Sequence, residues 1–503
     1  MTTHSCFVAP RRQRCQEFRL IALLLIYGPA IFAQNSAADL DAIVKRVIGQ
    51  ERVVGASVLV AQKNEIILHK GYGFADAGLD ALANAETVYG VVGPMMPFTG
   101  VAVMQLVERG KLSLDDDISK FVPEFPLQGH HVSVRQLLNH TSGIVDYHYL
   151  GDPIEATSRQ PKALDEVMAL YADKKWVHEP GTKWDWSISG FQLLVTILER
   201  VSGQTYEEFV RQNIFNPAGV KSTVYCDDST LVRGLSRAYH RLGEGHVLAH
   251  EDGMAYNTDL RYCSTVGDLY QTWRAIEDKR LLRPETFRMM ATAVGAAEQM
   301  SAQDPKMHYG LALTLNHEDD HRSIGQHGSL LGFSGSMYEF PADQLTIVVL
   351  TNTEGQNAYA ISRALARAIL GLRELPQSPA PRPMSPPADL PISAGEISQL
   401  TGTFVLTAGE VPSNLHDSYA QYRRTYRVFN ENGRLMIQAW GQAPERLLKQ
   451  EDGTFTTRSS ARNRISFVMR ADRAAGMKMT SQGGLPLSGD RVGDGDPKTF
   501  HRQ

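Results

Sequence analysis

Val92-Gly93-Pro94-Met95-Met96-Pro97-Phe98-Thr99 runs straight into an apolar helical pattern, and this stretch sets the register for the rest of the chain. From residue 98 to 109 the apolar positions Val101, Val103, Met104, Leu106 and Val107 recur at helical spacing, and Gly110 supplies a C-terminal stop. Upstream, strand patterns at 57–62 and 65–69 flank a short turn at Lys63-Asn64. Downstream, a second helix covers 190–201, carrying Leu193, Leu194, Ile197 and Leu198, and closes at Ser202-Gly203. A buried strand fills 345–350, and a last helix over 357–370 ends at Gly371. Strands at both ends with helices between them predict an α/β sheet domain interrupted by a helical region.

The 503 residues exceed one ordinary domain, and the 43% hydrophobic and 21% charged content excludes wholesale disorder or a multi-span membrane protein. A net charge of −4 leaves no polybasic footprint, so no nucleic-acid partner is expected. Arg11, Arg12, Arg14 and Arg19 precede an apolar run over 20–32, and Ala33 offers a small residue for cleavage. Residues 1–33 therefore read as a secretory signal peptide, not a permanent membrane span, and the protein as exported, periplasmic or extracellular. Losing four Arg and one Glu with this leader would take the charge from −4 to −7. Cys226 and Cys263 would remain; an exported environment permits them to pair, and two separate buried thiols are the equal alternative.

A proline-rich linker is expected over 373–395, where seven prolines fall between Pro376 and Pro391. Period-two segments at 403–406, 426–429, 434–438 and 465–469, with Asn432-Gly433 suited to a tight turn, predict a small antiparallel β domain over 396–482. The Gly- and Asp-rich end, 483–503, reads as a disordered tail.

Within 34–372, several stretches in series resemble the serine β-lactamase and penicillin-binding-protein superfamily, in its class C-like, β-lactamase-related branch. They are Pro97-Phe98-Thr99 with the helix into Gly110-Lys111-Leu112-Ser113-Leu114-Asp115-Asp116, then Leu137-Leu138-Asn139-His140-Thr141-Ser142-Gly143-Ile144 and Glu179-Pro180-Gly181. The segment from Trp186 to Leu194, Phe215-Asn216-Pro217 with Gly219, and Gly332-Phe333 complete the series. The resemblance implies an antiparallel five-stranded sheet flanked by helices, an all-helical subdomain, and an active site in the cleft between them. It implies no cofactor.

That family forms an acyl-enzyme with Ser-x-x-Lys, Tyr-x-Asn and a His-x-Gly or Lys-Thr-Gly strand, because serine is a weak nucleophile without a neighbouring base. Counted from Pro97, the serine position holds Gly93 and the lysine position Met96. The second motif falls at Trp186-Ser187-Ile188, so Trp186 replaces tyrosine and Ile188 replaces asparagine. The third falls at Gln326-His327-Gly328, where Gln326 takes the cationic or imidazole place and Gly328 fits the pattern; a one-residue gap would slide His327 into that place. Glycine, methionine and isoleucine exchange no proton, and an indole only donates. Thr99, Ser142, Ser187 and Ser189 read as ordinary backbone-satisfying hydroxyls. His246 and His250, four apart, read as part of a solvated hairpin and not as a metal site, and Met95 with Met96 as core filler.

The expectation is a non-catalytic protein that binds in the former cleft a peptidoglycan-derived or other small ligand, or a protein partner. Two other readings compete with it. One is an active esterase, D-amino-acid peptidase or β-lactamase with a relocated nucleophile; the other is a structural module that works through its C-terminal domain.

Overall fold

The structure is a computed structural model. It describes residues 36–151, 163–226, 230–242, 245–249, 262–301, 304–330, 332–375, 387–409, 420–439, 444–457, 463–481 and 485–494. The leader, His250, prolines 376 to 386 and the last nine residues lie outside the described residues.

In chain order the large lobe carries α1 (Ala37–Glu51), β1 (Gly55–Gln62), β2 (Glu65–Asp76), β3 (Ala81–Leu82), β4 (Tyr89–Gly90), α2 (Met96–Glu108) and α3 (Ile188–Ser202). It continues with β5 (Val224–Tyr225), the hairpin β6 (Tyr239–Leu242) and β7 (Gly245–Leu248), β8 (Tyr262–Ser264) and α4 (Val266–Glu277). Then come β9 (His308–Tyr309), β10 (Thr314–Glu318), β11 (His321–Leu330), β12 (Phe333–Phe340), β13 (Leu345–Thr351) and α5 (Asn357–Ile369). The sheet order is β3-β2-β1-β13-β12-β11-β10-β9. Its centre is the expected five antiparallel strands, β2-β1-β13-β12-β11. The extension is β10, folded back on β11 by a tight turn, with two-residue strands at both edges.

Strands β1 and β13 are near-continuous apolar runs because both faces of the sheet are covered. Val58, Val60, Ile347 and Val349 pack with Leu40 and Val44 of α1 and Ile361 and Leu365 of α5. Leu59, Ala61, Val348 and Leu350 point the other way, into the core that also holds Phe98 of α2, Phe191 of α3 and Trp273 of α4. Among the described residues no helix is long and apolar enough to cross a membrane.

Cys226 and Cys263 form a disulfide with Cα atoms 5.7 Å apart, which settles the open alternative. Cys263 sits on β8, opposite Gly90 of β4 and Val224 of β5, so the cross-link braces the strand that leads into Gly93. Closing a loop with a sequence separation of 37 is worth about 3–4 kcal/mol. The double variant Cys226→Ser/Cys263→Ser is expected to lose that much unfolding free energy in urea denaturation, and reductant to move the parent onto the same curve. Coincident curves for parent and variant would remove the bracing role.

The C-terminal part contains α6 (Ala394–Leu400), β14 (Gly402–Ala408), β15 (Arg423–Glu431), β16 (Arg434–Ala439), β17 (Glu445–Arg446), β18 (Leu448–Lys449), β19 (Phe455–Thr456), β20 (Asn463–Arg470), β21 (Arg473–Ser481) and β22 (Leu487–Gly493). They pair in the order β17-β16-β15-β14-β22-β21-β20-β19-β18. Leu447 alone separates the two outermost strands, so the sheet closes on itself as an up-and-down barrel. Phe404, Val428, Ile437, Ile465 and Met477 fill it, with Ile397 and Leu400 added by α6. The strand β22 corrects the expectation of a disordered tail over its length. Its composition hid it: Gly489 is needed there because a Cβ would lie 1.7 Å from the Val405 carbonyl oxygen, and Leu487 faces the barrel core.

Candidate functional site

Gly93 does not stand on α2. The Met96 amide donates to the Gly93 carbonyl at 3.0 Å, closing a tight turn that delivers the chain to the helix start. Gly93 has φ +87°, and a Cβ there would lie 2.4 Å from the Gly328 nitrogen and 2.4 Å from the His327 carbonyl carbon. The reverse approach is also tight, since a Cβ on Gly328 would be 3.0 Å from the Gly93 Cα. The first and third motif positions thus meet backbone to backbone. Met96 is 1% exposed and lies in the main core with Ile188.

Gln326 is fully enclosed. Its Oε1 accepts from Thr314 Oγ1 and from the His327 amide, both at 3.0 Å, and its Nε2 donates to the Tyr309 hydroxyl at 3.0 Å. His327 points to the opposite face of β11, as strand alternation requires. Its Nδ1 lies 2.8 Å from the Tyr338 hydroxyl, and its ring stacks on Tyr359 of α5 at 4.1 Å. Burial, helped by the Arg363 charge, pushes its pKa down to about 4. The slipped register that would bring His327 into the motif therefore does not occur.

Trp186 stacks on His140 at 4.3 Å and meets Tyr309 edge-on at 6.3 Å, so the second and third motif positions converge on Tyr309. Ile188 opens α3 and donates its amide to Asp146 Oδ2 at 3.0 Å. Asp146 is fully buried, with His148 Nδ1 3.1 Å from its other oxygen. Burial alone would raise its pKa; the His148 bond and charge and the Ile188 and His148 amides outweigh it and hold the carboxyl below its ordinary value. His140, Asp146 and Tyr309 were not singled out from the sequence. His140 lay inside a motif quoted for its turn, and the other two become partners only through tertiary contact.

The hydroxyls of Thr99, Ser142, Ser187 and Ser189 are all engaged. Ser187 Oγ caps α3 by accepting from Gly190, Ser189 Oγ accepts from the Tyr147 amide, Ser142 Oγ accepts from Ile144, and Thr99 Oγ1 is 2.7 Å from the Tyr206 hydroxyl. His246 Nε2 donates to the Arg52 carbonyl at 2.6 Å, on the exposed hairpin. Two cavities of about 590 and 430 Å³ surround the β10–β11 hairpin tip near His317; none of the six motif positions lines either. Chemically, the motif positions offer one indole donor, one carboxamide and apolar surface.

A family model described as Beta-lactamase matches residues 40–372. The chain belongs to the beta-lactamase family. "Protein flp" of Staphylococcus aureus (strain MRSA252) is 24% identical over 326 residues, 64% of this chain. The chain spans 64% of that relative's own length. "Penicillin-binding protein 4*" of Bacillus subtilis (strain 168) is 24% identical over 464 residues, 88% of this chain and 96% of that one. Among solved structures, the octameric penicillin-binding protein homologue from Pyrococcus abyssi superposes with a TM-score of 0.59 at 20% identity, covering 90% of this chain and all of that one. The D-amino acid amidase from Ochrobactrum anthropi SV3 does so with 0.56 at 19% identity, over 66% and 99%. These two structures share the fold with this beta-lactamase-family chain.

Proposed function

We propose that this beta-lactamase-family protein is non-catalytic and exported, and that it binds a small ligand at the rim of the former cleft without acylating. The observation that carries this reading is the contact between Gly93 and the His327-Gly328 backbone, which leaves no room for a nucleophilic side chain. The groups around it point the same way: Met96 and Ile188 are packed as core, and the hydroxyls nearby serve the backbone. Trp184 and Trp186 remain half-buried at the same place, which leaves aromatic surface for a ligand. The names of the relatives, penicillin-binding protein and D-amino acid amidase, favour a peptidoglycan-derived fragment. Export rests on the leader read at residues 1–33, and the Cys226–Cys263 disulfide suits an oxidising compartment.

A fluorescent penicillin or a serine-hydrolase probe is expected to leave the purified protein unlabelled after denaturation. A muropeptide titration is expected to quench tryptophan fluorescence saturably. Covalent label mapped to any residue around Gly93, Trp186 or Gln326 would overturn the non-catalytic reading in favour of a relocated nucleophile. The absence of saturable quenching would overturn the ligand assignment.

A further inference from the structure

Among the described residues, the barrel meets the large lobe at a place that leads to the second motif. Arg423, the first residue of β15, bridges to Gly151, and its amide donates to the Leu150 carbonyl at 3.3 Å. The fit is close: Gly151 has φ +84°, and a Cβ there would lie 2.2 Å from the Arg423 carbonyl oxygen. Beside it the Gln421 carboxamide clasps the Lys175 backbone, accepting from its amide at 3.1 Å and donating to its carbonyl at 2.5 Å. The 146–151 segment that receives the barrel is itself tied to α3. Asp146 takes the Ile188 amide, and the Tyr147 amide donates to Ser189 Oγ at 3.0 Å. A continuous path of hydrogen bonds and short backbone therefore joins the barrel edge to the first turn of α3.

The joint is also polar. The large-lobe core holds Val145, Tyr147, Leu150 and Ile188, the barrel core draws on residues after 391, and among the described residues no apolar cluster spans the two. A contact of this kind opens at low free energy, whereas a shared core does not.

We propose that the barrel is a latch on the second-motif wall of the cleft: docked through Gln421 and Arg423 it holds 146–151 and the first turn of α3 in place, and undocked it frees them. This makes the barrel the regulator of the binding site, and in that respect it rests on the reading given above. The latch itself is tested without any ligand.

The test uses the full chain and hydrogen exchange read by mass spectrometry. Arg423→Pro removes the amide donated to Leu150 at the first residue of a strand, where proline is tolerated, and Gln421→Ala removes both bonds to Lys175. In the double variant, exchange in peptides over 145–150 and 188–194 is expected to rise at least tenfold, with β20 and β21 unchanged. Small-angle scattering is expected to show the barrel displaced. Should Arg423→Pro loosen the barrel strands, Gln421→Ala alone, which lies outside them, is expected to give at least a threefold rise. Unchanged exchange with a displaced barrel overturns the coupling. A barrel that stays docked without these bonds overturns the latch. Covalent labelling by penicillin would undo the binding reading and leave the exchange result standing.

Discussion

Gly93→Ser is expected to destabilise the protein by about 3–5 kcal/mol and to create no working nucleophile. Two costs add. A side chain at φ +87° is strained by about 1–2 kcal/mol, as for any L-residue in the left-handed region. The larger cost is steric, because the obstacle 2.4 Å from the new Cβ is the backbone of His327 and Gly328, which cannot rotate away. Relief requires β11 to draw back from the 92–94 turn, and β12 is pressed on the same turn, since a Cβ on Gly335 would lie 2.8 Å from the Val92 oxygen. Gly110→Ala isolates the first cost: φ is +64° with open space around the Cβ, so a loss of about 1 kcal/mol is expected. Urea denaturation of both variants measures the difference. The combination Gly93→Ser/Met96→Lys/Trp186→Tyr/Ile188→Asn is expected to remain unlabelled by penicillin. A Gly93→Ser protein as stable as the Gly110→Ala variant, or a labelled combination variant, would show that the cleft opens where the structure closes it.

The large-lobe framework was legible because its signals are local. The strand pattern at 57–62 and the buried apolar strand at 345–350 are read from composition, and α2 and α3 carry their own periodicity and stops. The motif positions were legible by counting from Pro97 and Gly332. Their mutual approach was not: two glycines 235 residues apart give no hint that no Cβ fits between them. The same limit hid β22, whose glycine is a packing requirement that reads as disorder in a one-dimensional pattern. His327 and Gln326 show a third limit. The gap left open in the sequence is closed only by knowing which face of β11 looks at Tyr309 and which at Tyr359.

The second large effect concerns a carboxyl the site does not use. Glu339 of β12 points into the main core beneath α4, where Trp273 Nε1 donates to its Oε2 at 2.9 Å. Burial first, then the neighbouring Glu277 carboxyl through a hydrogen bond and its charge, push the Glu339 pKa from 4.5 up to about 8; the Trp273 bond and the Arg274 charge oppose this and lose. At neutral pH Glu339 therefore keeps its proton in the native state and releases it on unfolding. The native state binds more protons than the unfolded state between those two values, so this group's contribution to stability is full below pH 4.5 and declines as pH rises towards 8. A loss on the order of 3 kcal/mol between pH 5.5 and 8.5 is expected from it. Glu339→Gln keeps the shape and the acceptor for Trp273 but cannot ionise. The variant is expected to stay within about 1 kcal/mol of the parent at pH 5.5 and to be the more stable of the two at pH 8.5. Urea midpoints at the two pH values decide the matter. A stability difference between parent and variant that does not change with pH would mean that Glu339 is already ionised in the folded protein, its carboxylate accepting from Trp273.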